Sequence, residues 1–193
     1  MTGIPSYELY GDPAEKPFPD LLHCETIRAR SSIHGWRIRP HRHHGLFQFF
    51  WLQSGGVVAD IEGTRHELTA PAALVIAPLM VHGFRFEPET RGWVLTLPRD
   101  GFDRALAGAP DLAPALAAAR CLSPAVDDPG PAALFDRLTQ EFGQSNPGRA
   151  VLLQAMVGQL LVWFARQALH DQQASQPAGD AYAGLTRRFL DLL

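Results

Sequence analysis

Three histidines carry the most distinctive chemistry in this chain. His41 and His43 stand in the run RPHRHHGLFQFFWLQSGG, and His82 ends the apolar segment ALVIAPLMVH. Neutral imidazole is the commonest metal ligand near neutral pH, and residues i and i+2 of a strand share a face. With His82 on a neighbouring strand, His41 and His43 could form a three-nitrogen site for zinc, nickel or iron(II), with one coordination position open. The same side chains could instead line a pocket for an organic ligand. Gln48 joins the set with a neutral carbonyl, a weaker divalent-metal ligand than a carboxylate. It also has an amide that donates hydrogen bonds, which a carboxylate cannot do. His44 has the opposite parity and is left outside the site, and His23, His34, His66 and His170 fall in no pattern.

These side chains need strands to position them. Runs rich in β-branched and aromatic residues, separated by turn signals, predict strands near 22–30, 36–40, 45–53, 56–61, 64–69, 73–77, 81–87 and 91–97. Many short strands at this spacing predict a sandwich or barrel. After Pro98 alanine and leucine dominate and the period becomes helical, with helices expected near 100–107, 110–119, 131–144, 149–170 and 181–193. Asp127-Asp128 is read as the cap of the 131–144 helix, and Asp180 as the cap of the last one. The stretch 172–180, QQASQPAGD, reads as a flexible linker. The last helix runs to Leu193 with no stop signal, which points to a chain that continues. The resulting division is a mainly β part over 1–98, a helical part over 99–171, and a linker with the start of a further helical region over 172–193.

Composition narrows the function classes. Net charge is −3, and the chain has no basic footprint for nucleic acid. Cys24 and Cys121 are far apart and lack metal spacing, which suggests a reducing, cytoplasmic setting. The N-terminus has neither the basic nor the apolar region of a signal peptide. The most apolar stretch, 151–169, is interrupted by Gln154, Gln159, Arg166 and Gln167, so a buried helix is expected rather than a membrane span. Its apolar surface covers more than half the circumference and fits either neighbouring helices or a second copy of the chain.

The spacing Gly35, five residues, His41, one, His43, four, Gln48, six, Gly55 resembles the first motif of the cupin superfamily. Pro78-Leu79-Met80-Val81-His82 resembles the second motif, with His82 at the third histidine position. The two motifs span about 35–86. The chain departs from the pattern at Gln48, where the family usually has Glu, and at Leu79-Met80, where a glycine is usual after the proline. The resemblance implies a double-stranded β-helix (jelly-roll) barrel followed by a helical hairpin. With the helical part added, the chain resembles the sensor region of AraC-type transcription regulators, in particular the branch that senses aromatic acids such as 4-hydroxybenzoate. That resemblance implies a small-molecule effector in the barrel and a homodimer through the helices at 131–144 and 149–170. DNA would be bound only by a C-terminal region, and AGLTRRFLDLL, 183–193, resembles the beginning of its first helix.

Strand alternation predicts the pocket lining. If Gln48 points inward, so does Phe50, while Phe47, Phe49 and Trp51 pack on the outer face beneath the helices. If His82 points inward, Phe84 and Phe86 follow and Arg85 points out. Trp93, Leu95 and Leu97 form another alternating set that could join the pocket. Arg37 and Arg39 share parity with His41 if no bulge intervenes at Pro40. Facing inward, either could hold a ligand carboxylate; otherwise both are solvent-exposed. An effector-sensing regulator is favoured over a metal-dependent cupin dioxygenase or isomerase, since no Glu, Tyr or Lys near the motif stands out as a catalytic base. A metal-stabilised binding protein is the third alternative.

Overall fold

Strand β4, Leu46–Ser54, is buried along its first seven residues because both of its faces are covered. It is the middle strand of one five-stranded sheet, and a second five-stranded sheet faces it. The computed structural model describes residues 5–7, 22–125 and 128–175. Among the described residues there are ten strands: β1 (Ser6–Tyr7), β2 (His23–Thr26), β3 (Arg37–His43), β4, β5 (Gly56–Ile61), β6 (Thr64–Thr69), β7 (Ala72–Ile76), β8 (His82–Phe86), β9 (Arg91–Pro98) and β10 (Arg120–Leu122). The first sheet has the order β10-β7-β4-β9-β2 and the second β1-β3-β8-β5-β6. Every pairing is antiparallel except that of β1 with β3. The chain crosses repeatedly from sheet to sheet, giving the expected mainly β, cupin-type barrel with a helical end.

Alternation sorts the apolar residues into two cores. Phe50, Leu52, Leu74, Ile76, Phe84 and Phe86 belong to the core between the sheets. Phe47, Phe49, Trp51, Val75, Leu95 and Leu97 lie on the outer side of the first sheet and share a core with the helices. Four α-helices are defined: α1 (Ile27–Ser31), α2 (Arg99–Ala105), α3 (Ala132–Phe142) and α4 (Arg149–Ser175). From α4, Leu153, Val157, Leu160, Leu161 and Phe164 enter the outer core. By length and composition α4 could cross a membrane, with a mean hydropathy of 1.2 over an 18-residue window. Here it is packed as a core helix, and the Gln and Arg side chains that interrupt its sequence fall on its other sides.

Several elements differ from expectation. The strand expected over 22–30 stops at Thr26, whose Oγ1 accepts from Ala29 N at 3.1 Å and starts α1. The helix expected over 110–119 is a 3-10 segment, Pro110–Leu116, with Pro114 inside it. The chain then adds β10 to the sheet beside β7, so residues beyond 98 complete the barrel. Helix α4 continues through Ser175 into the stretch read as linker, where Gln172, Gln173 and Ala174 are good helix formers. Asp128 does not cap α3, which begins at Ala132 with Pro131 at the N-cap and no side-chain cap. Its carboxylate instead accepts from Gly130 N and from Gln167 Nε2 on α4, at 2.7 and 2.6 Å. Asp127, Asp180 and the 181–193 helix lie outside the described residues.

Candidate functional site

The histidine cluster depends on a bulge in β3. From Phe84 to His82 strand β8 advances two residues, while β3 advances three, from Ile38 to His41. The extra residue falls at Arg39-Pro40 and resets the alternation. Gly83 permits it, since a Cβ there would stand 3.0 Å from Pro40 N and 3.2 Å from Ile38 O. Ile38, His41 and His43 consequently face the barrel interior. Arg37 and Arg39 are exposed, and the expectation that one of them faces the cavity fails for this reason.

His41, His43 and His82 are 5%, 2% and 1% exposed, and one ring nitrogen from each lies within 4.8 Å of the others. The Nε2 atoms of His41 and His43 are 3.2 Å apart. His41 Nδ1 lies 2.8 Å from the Arg39 carbonyl, and His82 Nδ1 lies 2.9 Å from that of Met80. A carbonyl only accepts, so both Nδ1 atoms carry the proton and both Nε2 atoms present a lone pair. Burial lowers the proton affinity of His82, to a pKa of about 3, with the neighbouring His41 as a further cause. Burial also lowers that of His41, and the charge of Arg30 acts in the same direction. His82 Nε2 has no hydrogen-bond partner. Neutral imidazoles with their lone pairs converging, and backbone carbonyls holding their tautomers, fit a divalent cation.

His41 also lines a cleft of about 440 Å³, open mouth included. Gln48, Phe50, Phe84 and Phe86 line it as the strand parities predict. Trp93 does not. In register with β4, Gln48 faces Thr96 and Phe50 faces Val94, so Val94 and Thr96 turn inward and Trp93 turns out. There it stacks on Phe135 of α3, with ring centroids 5.9 Å apart. The more apolar phase, Trp93-Leu95-Leu97, is thus given to the helical core, and the pairing with β4 turns Val94 and Thr96 to the cleft.

The remaining wall comes from the end of β2 and from α1, which replaces the second half of the strand expected over 22–30. Glu25 of β2 and Ile27, Arg30 and Ser31 of α1 close the mouth. The signal that could have found them is Thr26, an N-cap residue followed by the helix-tolerant run Ile-Arg-Ala-Arg. Two atoms of this lining are buried without a hydrogen-bond partner, Gln48 Oε1 and Ser31 Oγ. Buried polar groups are almost always paired, so orphans in one cleft mark a place for ligand atoms.

An apolar cavity with a few aimed polar groups, inside a barrel backed by helices, defines a small-molecule binding domain. The model of the AraC-like ligand binding domain family matches residues 23–161, and the chain belongs to that family. None of the curated proteins matches it. Among solved structures, ToxT from Vibrio cholerae is similar over 77% of this chain and 58% of its own, at 11% identity and a TM-score of 0.45. KdgF from Halomonas sp. is 26% identical over 33% of this chain and 59% of its own, with a TM-score of 0.31. An RmlC-like cupin from Shewanella frigidimarina is 21% identical over 33% of this chain and 55% of its own, with a TM-score of 0.29. The chain thus spans less than two thirds of the length of each of these proteins.

Proposed function

We propose that this chain is the sensing and dimerising part of a cytoplasmic AraC-type transcription regulator, and that its effector is an aromatic carboxylic acid such as a hydroxybenzoate. The observation that carries this reading is the cleft itself. Phe50, Phe84 and Phe86 offer an apolar aromatic wall, while Gln48 Oε1 and Ser31 Oγ are buried with nothing to bind. A ring bearing a hydroxyl and a carboxylate matches both features. Strand β2 supports transmission of the binding event. Glu25 lines the cleft; Cys24, on the other side of the strand, places Sγ 3.4 Å from Thr139 Oγ1, and His23, on the Glu25 side, meets the Phe142 ring edge-on, Thr139 and Phe142 both being on α3. A ligand that favours one position of β2 would bias the position of α3.

For dimerisation, α4 offers Val151, Leu152 and Leu169, which are 74%, 41% and 37% exposed. The outer side of α3 carries Asp136, Arg137 and Gln140, so α4 supplies the apolar part of the surface. DNA would be bound by a helix-turn-helix region beyond these residues. The test is a thermal-shift series with benzoate and the hydroxybenzoates, because a ligand specific to the folded state raises Tm as its concentration passes Kd. Concentration-dependent stabilisation is expected. No shift with any aromatic acid would remove the effector assignment, and sedimentation of Leu152→Glu as a monomer would support the α4 surface.

The histidine geometry favours a second occupant. His41, His43 and His82 would hold zinc, nickel or iron(II) through Nε2, with Gln48 as a further neutral ligand. Such an ion would supply a Lewis-acid centre with an open position. Metal analysis after purification without added metal tests this. Stoichiometric iron accompanied by turnover would favour the alternative of a metal-dependent cupin dioxygenase or isomerase.

A further inference from the structure

We propose that Arg30 is the carboxylate anchor of the cleft and that Glu25 is its built-in competitor, so that an acid binds by exchange. The incoming carboxylate takes Arg30, and Glu25 gives it up. This rests on the reading of the effector as an aromatic acid. Arg30 stands in the last turn of α1 and Glu25 near the end of β2; Thr26, between them, caps the helix and folds the two side chains to one mouth. Arg30 Nε and Glu25 Oε1 are 3.8 Å apart, and the side chains are 21% and 19% exposed. That separation is an ion pair without a hydrogen bond. A ligand carboxylate able to reach the guanidinium with direct, paired hydrogen bonds would therefore be the better partner.

Three neighbours make the exchange workable. His23 Nε2 lies 3.6 Å from the same Glu25 oxygen, so the displaced carboxylate keeps a polar neighbour. Ser31, next to Arg30, is fully buried with a hydroxyl that has no partner, and it can donate to a bound carboxylate. On β9 and β4, Thr96 and Gln48 face each other in register and offer polar contacts to the rest of the ligand. Among the described residues Arg30 is the only arginine or lysine lining the cleft, and Arg37 and Arg39 lie on the exposed face of β3.

The experiment is calorimetric titration of the full chain with 4-hydroxybenzoate and with its uncharged counterpart, 4-hydroxybenzamide. Wild type is compared with Arg30→Gln and Glu25→Gln, whose folding is checked by Tm. Arg30→Gln is expected to weaken the acid by about tenfold or more while leaving the amide unchanged. Glu25→Gln is expected to strengthen the acid by roughly threefold to tenfold, again without effect on the amide, because the competitor is gone. If wild type and both variants bind the acid alike, the exchange is overturned while the aromatic-acid reading stands. If neither 4-hydroxybenzoate nor benzoate binds wild type, the effector reading and the exchange fall together. Should Arg30→Gln fail to fold, Glu25→Gln decides alone, and unchanged or weakened acid binding overturns the proposal.

Discussion

The two faces of strand β4 are built to different rules. On the outer face Phe47 stacks on Phe102 at 4.0 Å, Phe49 meets Phe164 at 5.2 Å and Trp51 meets Trp163 edge-on at 5.4 Å. These contacts join barrel to helices in one dense core. On the inner face Gln48 ends in an oxygen with no partner, and His82 and Ser31 nearby each leave an atom unpaired. A protein selected only for stability would fill that space with apolar groups, because unpaired buried polar atoms are costly. Trp51 Nε1 on the outer face is also buried without a partner, but it is packed among the rings of the outer core, whereas Gln48 Oε1 and Ser31 Oγ line a cleft; the outer face thus serves as scaffold and the inner face can accept a ligand.

The largest expected effect breaks the scaffold side. Phe49 is wholly buried, and Phe49→Ala should cost about 3–5 kcal/mol in denaturant unfolding through lost contacts and the cavity left behind. A smaller loss would mean that the outer core is looser than its ring geometry indicates. Acid should attack the inner side next. His82 is held neutral in the fold, with a pKa of about 3 against an ordinary 6.5, and His41 is shifted in the same direction. Between those values the unfolded chain binds a proton that the folded chain refuses. Stability of EDTA-treated protein should therefore be full above about pH 6.5 and decline as pH falls toward 3. Denaturant melts across that window should show a shallower decline for His82→Phe, and an identical slope would remove His82 as the cause.

Thr26→Ala removes the cap of α1 and should cost about 1 kcal/mol of stability. Because α1 carries Arg30 and Ser31, the same variant should weaken ligand binding, which calorimetry would register. The smallest stability effect sharpens the comparison most. Gln48→Leu removes an orphaned acceptor beside Phe49 and should change stability by less than about 1 kcal/mol, in either direction. Two adjacent residues on one strand would then differ several-fold in their cost, according to the face they occupy. If Gln48→Leu destabilised as strongly as Phe49→Ala, the inner face would have to be counted as scaffold too.

Much of this was legible in local pattern. The parities of β4 and β8 follow from period-2 alternation anchored by Gln48 and His82, and the histidine trio from motif spacing. The features that were not legible share one cause. The inward turn of Val94 and Thr96 depends on the pairing with β4, because alternation alone does not say which face of β9 meets the helices. The outward turn of Arg37 and Arg39 depends on an extra residue in β3 that Gly83 accommodates. Strand β10 is three residues whose partner, β7, lies more than forty positions earlier.

By itself the sequence determined most of the strands, the change from strands to helices after Pro98 and which residue types could bind a ligand or a metal, since these follow from periodicity and spacing along the chain. The tertiary structure decided which cation stands at the mouth of the cleft. Arg37 and Arg39, adjacent to the histidines in sequence, were turned outward by a bulge, and Arg30 was brought in by a helix that begins one residue after Glu25's neighbour Thr26. Register and bulges are set by contacts between distant segments, and although Thr26 signals the start of α1 locally, only the packed barrel places that helix at the cleft.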